Sequence, residues 1–279
     1  MTFAGLLDDA ALFPPGNAPM AGAVPAHRRH RDAWYAGLVG PFLVPAARLD
    51  ELAAHLPEDG EIPLDLGLIA AAEALPAALA AVGAERRLAL VAVEVAPSQA
   101  TAAAVVEAVR QHVPEGVAVA VGVPRGPVRP GFLDALAGTG LRAKLRTGGT
   151  EAAAFPDERE LAEAIAACRA RAMAFKCTAG LHHAVRHTGE GTGFAHHGYL
   201  NILLAAEAAE RGADADTVAG LLAERSPEAV VVAVAALSDD RRRAARSLFT
   251  SFGTCSITEP VDDLVALGLL APMIPERTR

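Results

Sequence analysis

The chain contains only two lysines, and a lysine is a residue type that can carry covalent chemistry. Of its 25 basic residues, only Lys144 and Lys176 are lysines, and the rest are arginines. The Ala- and Arg-rich composition indicates a GC-rich genome, in which a surface lysine readily drifts to arginine. We therefore predict that both positions require a primary amine, which can attack a carbonyl group to form a Schiff base.

Both lysines lie in short apolar segments that run into glycine and are typical of β-strands. The segments are Leu141–Thr147 and Ala174–Gly180. Because side chains alternate between the two faces of a strand, the apolar set of each segment packs against helices and the lysine points to the interior. About one strand–helix unit separates the two lysines, so we expect them on adjacent strands, roughly 4.8 Å apart.

Two neighbouring ammonium groups away from water disfavour each other's charge, so the sequence predicts a lowered pKa and a neutral amine. We take Lys176 as the nucleophile, because it precedes a histidine-rich loop, and Lys144 as the residue that lowers its pKa. The alternative is that both lysines pair with buried acids and only support the fold.

Three further residues could move protons beside the lysines. Glu94 alternates with Val93 and Val95, so it also points inward, either as a general acid/base or as a counter-ion for a lysine. His182 and His183 follow the strand of Lys176 and are expected to take part in proton transfer.

Groups that bind the substrate are expected at the carboxyl ends of the same strands, where barrel enzymes place their active sites. Arg146 and the glycine amides after it suit a carboxylate or a phosphate. The full set expected to contact substrate is Arg146, Thr147, Gly148, Gly149, Thr178, Gly180, Asn201 and Ser256. The sequence therefore predicts a small anionic substrate.

Histidine is concentrated in one glycine-rich loop. Five of the nine histidines fall between positions 182 and 197, and a loop of this length is a candidate lid. Paired histidines can bind a metal, but the loop has no HExxH spacing and few acids. We expect no cofactor and no bound metal.

The elements that must position these residues alternate along the chain. Apolar, β-branched segments alternate with Ala-, Leu-, Glu- and Arg-rich stretches, the pattern of strand–helix units around a parallel sheet. We predict a single (β/α)8 barrel of residues 36–279, preceded by a lead-in or cap segment of residues 1–35, with an open doubly wound sheet as the alternative. The predicted strands are Gly40–Pro45, Ile62–Ile69, Leu88–Ala96, Val117–Val123, Leu141–Thr147, Ala174–Gly180, Val230–Leu237 and Gly253–Thr258.

Composition excludes several classes of protein. The 279 residues carry a net charge of −8, which disfavours nucleic acid and anionic membranes as partners. No apolar run is long enough for a membrane span, and the acidic start does not resemble a signal peptide, so we expect a cytoplasmic protein. Three widely spaced cysteines indicate neither a disulfide framework nor a cysteine zinc site.

Several motifs together resemble an uncharacterised bacterial protein family that spans nearly the whole chain. They are Asp9–Pro15, Lys144–Gly149, Phe175–His183, Gly253–Ser256 and the pair Glu259-Pro260. No activity accompanies this resemblance, so it implies no catalytic role for any residue.

The two lysine motifs alone are similar to class I aldolases of the deoxyribose-phosphate type. Those enzymes are (β/α)8 barrels that use one lysine as the Schiff base and a second lysine to perturb it, so the resemblance implies this fold and carbon–carbon lyase chemistry. This sequence departs from their pattern at Arg146 and at the double histidine. Counted on the predicted strands, the lysines lie on strands five and six rather than six and seven.

The sequence thus favours an enzyme that acts on a small anionic carbonyl compound through a lysine Schiff base, of the carbon–carbon lyase or aldolase type. One alternative is a metal-assisted isomerase or hydrolase that uses Glu94 with His182, His183, His196 or His197. A second alternative is a non-catalytic, anion-binding barrel. Neither the substrate nor the direction of reaction follows from the sequence, and a homo-oligomer is left open.

Overall fold

Eight parallel strands close into a barrel in the computed structural model, which describes residues 2–56, 62–96, 100–191 and 193–272. The strands are β1 (Leu7–Asp9), β2 (Val39–Pro45), β3 (Leu64–Ala70), β4 (Leu88–Val95), β5 (Ala118–Gly122), β6 (Arg142–Arg146), β7 (Phe175–Thr178), β8 (His187–Thr188), β9 (Ala195–His196) and β10 (Phe249–Thr254). All except β8 and β9, which form a separate antiparallel pair, belong to the barrel. The predicted (β/α)8 barrel is confirmed, and the open sheet is wrong.

Helices connect the barrel strands and cover their outer faces. They are α1 (Met20–Asp32), α2 (Leu49–Ala53), α3 (Leu75–Ala84), α4 (Ala102–His112), α5 (Arg129–Leu136), α6 (Glu158–Ala170), α7 (Tyr199–Glu210), α8 (Ala215–Ala223), α9 (Pro227–Ala235), α10 (Asp239–Leu248) and α11 (Thr258–Ala266). Short 3₁₀ turns cover Ala36–Leu38, Ala46–Arg48, Ala72–Ala74 and Ala152–Ala154. No described helix is long and apolar enough to cross a membrane.

The first barrel strand lies inside the segment that the sequence analysis treats as a cap. β1 pairs with β10 on one side and with β2 on the other, so it closes the barrel. The boundary at residue 36 is therefore wrong, because residues 1–35 supply a barrel strand as well as α1. At three residues, β1 is too short to show an alternating pattern, and the prolines after it are typical of a loop.

The segment Val230–Leu237, predicted as a strand, is mostly helical and belongs to α9. Pro227 occupies the first turn, and the Ser226 hydroxyl caps the helix by accepting a hydrogen bond from the Ala229 amide at 3.1 Å. Val230 and Val234 are the buried residues of this helix, and their spacing of four is helical. Valine favours strands, but the cap and the spacing of the buried valines determine this segment.

The last barrel strand also begins earlier than predicted. β10 overlaps the predicted Gly253–Thr258 at only two residues, and Thr258 begins α11. Because β1 is a barrel strand and Val230–Leu237 is not, each predicted strand between them is one place later in the order of barrel strands. Lys144 and Lys176 therefore lie on barrel strands six and seven, and Glu94 lies on strand four.

Leu7 tests the role of β1 in closing the barrel. It is fully buried and pairs with Phe252 and Val39 in the neighbouring strands. We expect Leu7→Ala to lower the free energy of unfolding by about 2–5 kcal/mol in urea titrations, because it leaves a cavity at the closure. Val232→Ala, at a position 68% exposed in α9, is the control and is expected to change it by less than about 0.5 kcal/mol. Similar effects of the two variants would show that β1 is not required for closure.

Candidate functional site

The two lysines meet inside the barrel, as the sequence predicts. Lys144 of β6 and Lys176 of β7 are paired in register on neighbouring strands, and both are buried. Glu94 of β4 joins them. Its Oε2 accepts a hydrogen bond from the Lys144 ammonium at 2.8 Å, and its Oε1 accepts one from Lys176.

A second carboxylate completes the cluster from the first strand. Asp8 Oδ2 accepts hydrogen bonds from Lys176 at 2.5 Å and from the Ser251 hydroxyl at 2.7 Å. Gly40 of β2 is needed beside it, because a Cβ at that position would collide with Asp8 Oδ1. Asp8, Glu94, Lys144 and Lys176 are called the lysine–carboxylate network below, and their formal charges balance.

The network keeps Lys176 as a charged ammonium, whereas the sequence predicts a neutral amine. Burial lowers the pKa of Lys176, but the charges of Asp8 and Glu94 and the hydrogen bonds to them outweigh burial and raise it above its ordinary value. Burial raises the pKa of Glu94, but Lys176 and Lys144 outweigh it and hold the pKa at about 2. The expected lowering of the Lys176 pKa is therefore wrong, because carboxylates stand between the two amines.

Asp8 behaves differently from Glu94 because it has only one ammonium partner. Burial raises the pKa of Asp8 more than the charge of Lys176 lowers it. Asp8 is therefore the acid of the network that most readily takes up a proton.

A cavity of about 210 Å³ reaches the network from the amino-terminal ends of the strands. It is lined by Asp8, Glu94 and Lys176 and by residues near the starts of β5, β6 and β10. This cavity, called the N-terminal cavity below, lies at the end of the barrel opposite to the predicted binding residues.

At the carboxyl ends of β6 and β7, the predicted glycines serve close packing of two loops. A Cβ on Gly148 would lie 2.7 Å from the Gly180 Cα, and Gly180 has a positive φ of 74°. Thr147 is buried between these loops, and its hydroxyl donates to the Ala179 carbonyl at 2.6 Å. These groups hold two loops together, and their predicted contacts with substrate stay a prediction.

Arg146 and its neighbours lie at the same end of the barrel. The Arg146 side chain is exposed, and its Nη1 donates to the Gly148 carbonyl at 2.9 Å. A Cβ on Gly149 would lie 3.1 Å from that Nη1 and 2.7 Å from the Ala154 Cβ. Thr178 ends β7 and is half-buried. Arg146 therefore stays accessible to an anion.

The two histidines predicted to transfer protons contact α11. His182 Nδ1 lies 2.8 Å from Glu259 Oε2, and His183 Nδ1 lies 3.2 Å from Asp263 Oδ2. The Cys255 thiol lies 3.8 Å from His182 Nε2, a contact that the cysteine spacing does not predict. These residues form the rim of the carboxyl-terminal end, and none of their described hydrogen bonds reaches the network.

Asn201 and Ser256, two of the predicted substrate-binding residues, form hydrogen bonds within the protein. The side chain of Asn201 is fully buried. Its oxygen accepts a hydrogen bond from the backbone N–H of Arg186 at 2.9 Å, and its NH2 group donates to the backbone carbonyls of Leu221 and Glu224. The Ser256 hydroxyl accepts a hydrogen bond from the Glu259 amide at 3.3 Å, at the start of α11.

The remaining loop histidines do not assemble a metal site. His187 and His196 stack across the small β8–β9 sheet with ring centroids 5.1 Å apart. His197 is buried against Arg186 and the Pro156 carbonyl, and burial together with the Arg186 charge lowers its pKa to about 4. Within the described ranges, no three His, Cys, Asp or Glu side chains are grouped so as to hold a metal ion.

Sequence reasoning missed Asp8 and Ser251 as members of the site. Asp8 and Asp9 both interrupt the apolar stretch of residues 6–12. Because adjacent residues of a strand point to opposite faces, this pattern does not show which acid faces inward. Ser251 lies in the part of β10 that falls before the predicted strand.

The fold and the network define a (β/α)8 barrel with an internal lysine pair, and barrels of this class commonly carry enzymes. The sequence matches no protein-family model, and no curated protein is significantly similar to it. The function is therefore argued from the site itself.

Because Glu94 pairs with both lysines, its protonation at low pH should lower the free energy of unfolding. Its pKa is near 2 in the folded chain and near 4.5 when unfolded, so its stabilising contribution is present above about pH 5 and is lost as pH falls toward 2. From this shift we expect a linked contribution of about 3 kcal/mol. In urea titrations, the stability difference between wild type and Glu94→Gln should narrow by about that amount between pH 6 and pH 2.5.

Glu107→Gln is the control for this measurement, because Glu107 forms an exposed pair with Arg110 on α4. The free energy of unfolding of Glu107→Gln should differ little from that of wild type at every pH. A constant difference for Glu94→Gln over the same range would contradict the described charge state of the network.

Proposed function

We propose that the protein is an enzyme that acts on a small anionic carbonyl compound through a lysine Schiff base, with carbon–carbon lyase chemistry of the aldolase type. The single observation that carries this proposal is the pairing of the chain's two lysines on neighbouring strands, with Glu94 bonded to both. Their places on strands six and seven agree with the aldolases that the lysine motifs resemble.

The contacts favour Lys144 as the nucleophile, in place of Lys176. Lys176 is bonded to two carboxylates, which raise its pKa and keep it protonated. Among the residues that the structure describes, Lys144 has one carboxylate partner, Glu94, which it shares with Lys176. Less of its hydrogen bonding must therefore be given up when the amine turns toward a carbonyl carbon.

Imine formation at Lys144 balances without a net proton. Lys144 first loses one proton, which passes along Glu94 and Lys176 to Asp8, and the neutral amine then attacks the carbonyl carbon. A second N–H proton moves to the carbonyl oxygen to give a hydroxyl. Loss of that hydroxyl as water leaves a protonated imine, in which a C=N bond has replaced the C=O bond. The imine retains the positive charge of Lys144, so Glu94 remains its counter-ion. The Lys176 ammonium is placed to protonate the departing hydroxyl, and Asp8 to give Lys176 the proton that Lys144 released in the first step.

Cleavage then uses the imine as an electron sink. The hydroxyl on the β-carbon loses its proton to a base, the bond between the α- and β-carbons breaks, and the β-carbon leaves as a carbonyl product. The electron pair of that bond forms an enamine. Return of the proton to the α-carbon restores the protonated imine for hydrolysis. Arg146, exposed at the end of β6, is the residue we propose to bind the anionic group of the substrate.

Borohydride trapping tests the proposal directly. Wild type, Lys144→Arg and Lys176→Arg are each incubated with small aldehydes, keto acids and sugar phosphates, reduced, and read by intact mass and peptide mapping. We expect a stable adduct on Lys144 that Lys144→Arg abolishes, and at least tenfold slower trapping in Lys176→Arg, because the proton donor is displaced. Circular dichroism confirms that each variant is folded.

Because the chain has no other lysine, background labelling is confined to the terminal amine. An adduct on Lys176 would reverse the roles of the two lysines but keep imine chemistry. Absence of any lysine adduct across the panel would overturn the proposal. Ligand-dependent stabilisation without an adduct would then favour the anion-binding alternative.

A further inference from the structure

The N-terminal cavity is accessible because β4 is irregular there. Leu66 of β3 pairs with Leu90 of β4, but the next residue, Gly67, pairs with Ala92, which leaves Val91 as an extra residue in the strand. Such a bulge redirects side chains and interrupts pairing. Val91 is 38% exposed and lines the cavity, so this end of the barrel is not filled by the usual layer of side chains.

Arg142, the first residue of β6, lines the cavity beside the network. It shares the inward-facing parity of Lys144 and is half-buried. Among the residues that the structure describes, its guanidinium has no hydrogen bond and no ion pair. A guanidinium withdrawn from bulk water normally pairs with a carboxylate or a phosphate, which it binds with two parallel hydrogen bonds.

A second guanidinium adds to the positive charge at this mouth. Arg246 donates to the Phe249 carbonyl at 2.8 Å and to the Ala4 carbonyl at 3.0 Å, next to β1 and β10. Burial lowers the pKa of Arg246 to about 10, and repulsion by the charge of Arg142 acts in the same direction. Asp8 is the acid that acts on Arg246, and Asp8 is already bonded to Lys176.

The neighbouring acids that the structure describes do not neutralise the positive charge of Arg142. The lysine–carboxylate network balances its own charges, and Asp65 of β3 is paired with Arg31 at 2.9 Å. The rest of the lining is mostly small or apolar, and it includes Ala118, Ala120, Val91 and Val119. The Thr250 and Ser251 hydroxyls at the lining already donate to the Phe175 carbonyl and to Asp8. Arg142 is therefore the group that would bind an anion there. A cavity of about 210 Å³ holds a small molecule and not a macromolecular segment.

We propose that the N-terminal cavity is a binding site for a small oxyanion, a phosphate or a carboxylate, held by the Arg142 guanidinium at the mouth of the barrel opposite to Arg146. Arg142, which holds the anion, has no role in the proposed imine chemistry, so the binding site does not depend on that chemistry. It places the anion against Lys176 and Asp8 from the side away from the carboxyl-terminal loops. An anion bound there also relieves the repulsion between Arg142 and Arg246.

Calorimetric titration of the full chain with inorganic phosphate, and separately with malonate, tests the site at constant ionic strength set by sodium chloride. We expect saturable binding of at least one anion with one site per chain. Arg142→Gln should weaken this binding at least tenfold, because it removes both donors of the bidentate contact. Arg110→Gln, which removes the same charge from the exposed face of α4, should change it less than twofold.

Wild-type protein gives a second readout that does not depend on a variant folding. An arginine-selective dicarbonyl reagent, read by peptide mapping, should modify Arg142, and the bound anion should slow that modification at least fivefold while Arg110 is modified at an unchanged rate. Phosphate and malonate results together identify which class of oxyanion the site takes.

The outcomes separate this site from the proposed imine chemistry. Absence of saturable binding by both anions would overturn the proposal, as would binding that Arg146→Gln removes and Arg142→Gln leaves intact. A trapped adduct on Lys144 has no bearing on either result.

Discussion

The carboxylate of Glu94 is the one group on which the interior of this barrel depends. Each of its oxygens accepts a hydrogen bond from a different lysine, so one acid fixes the positions of two ammonium groups on adjacent strands. Buried charges are costly unless they are paired and fully hydrogen-bonded. The shared carboxylate meets this requirement for Lys144, and Asp8 supplies the second partner that Lys176 needs. The arrangement requires side chains of strands one, four, six and seven to meet in the interior, which the closed barrel provides.

This dependence explains which parts of the site the sequence could predict. The pairing of Lys144 with Lys176 and the inward direction of Glu94 follow from alternation along strands, a local property that the chain displays directly. The charge state of Lys176 does not follow, because it is set by Asp8, which is distant in sequence and reaches the network only through barrel closure. A strand of three residues is too short to show an alternating pattern, so the sequence does not predict that closure.

The class of the fold is predictable from the sequence, but the identity of each barrel strand is not. Alternating segments identify strand–helix units, yet valines at α9 gave a false strand and β1 gave no signal. The two errors offset each other, so the total of eight was right while the position of each internal strand was shifted by one. Loop residues were the least predictable, because His182 and His183 are placed by the path of a loop that has no periodicity, and their partners on α11 are far along the chain.

The backbone contact between Gly148 and Gly180 has a consequence for how this barrel can diversify. With less than a side chain's width between them, the loops after β6 and β7 form one stiff unit directly beyond the two lysines. Insertions or larger residues there would push apart the strands that hold the amines in register. Changes in ligand preference during evolution are therefore confined to the other loops around the rim, while the distance between the two amines stays constant.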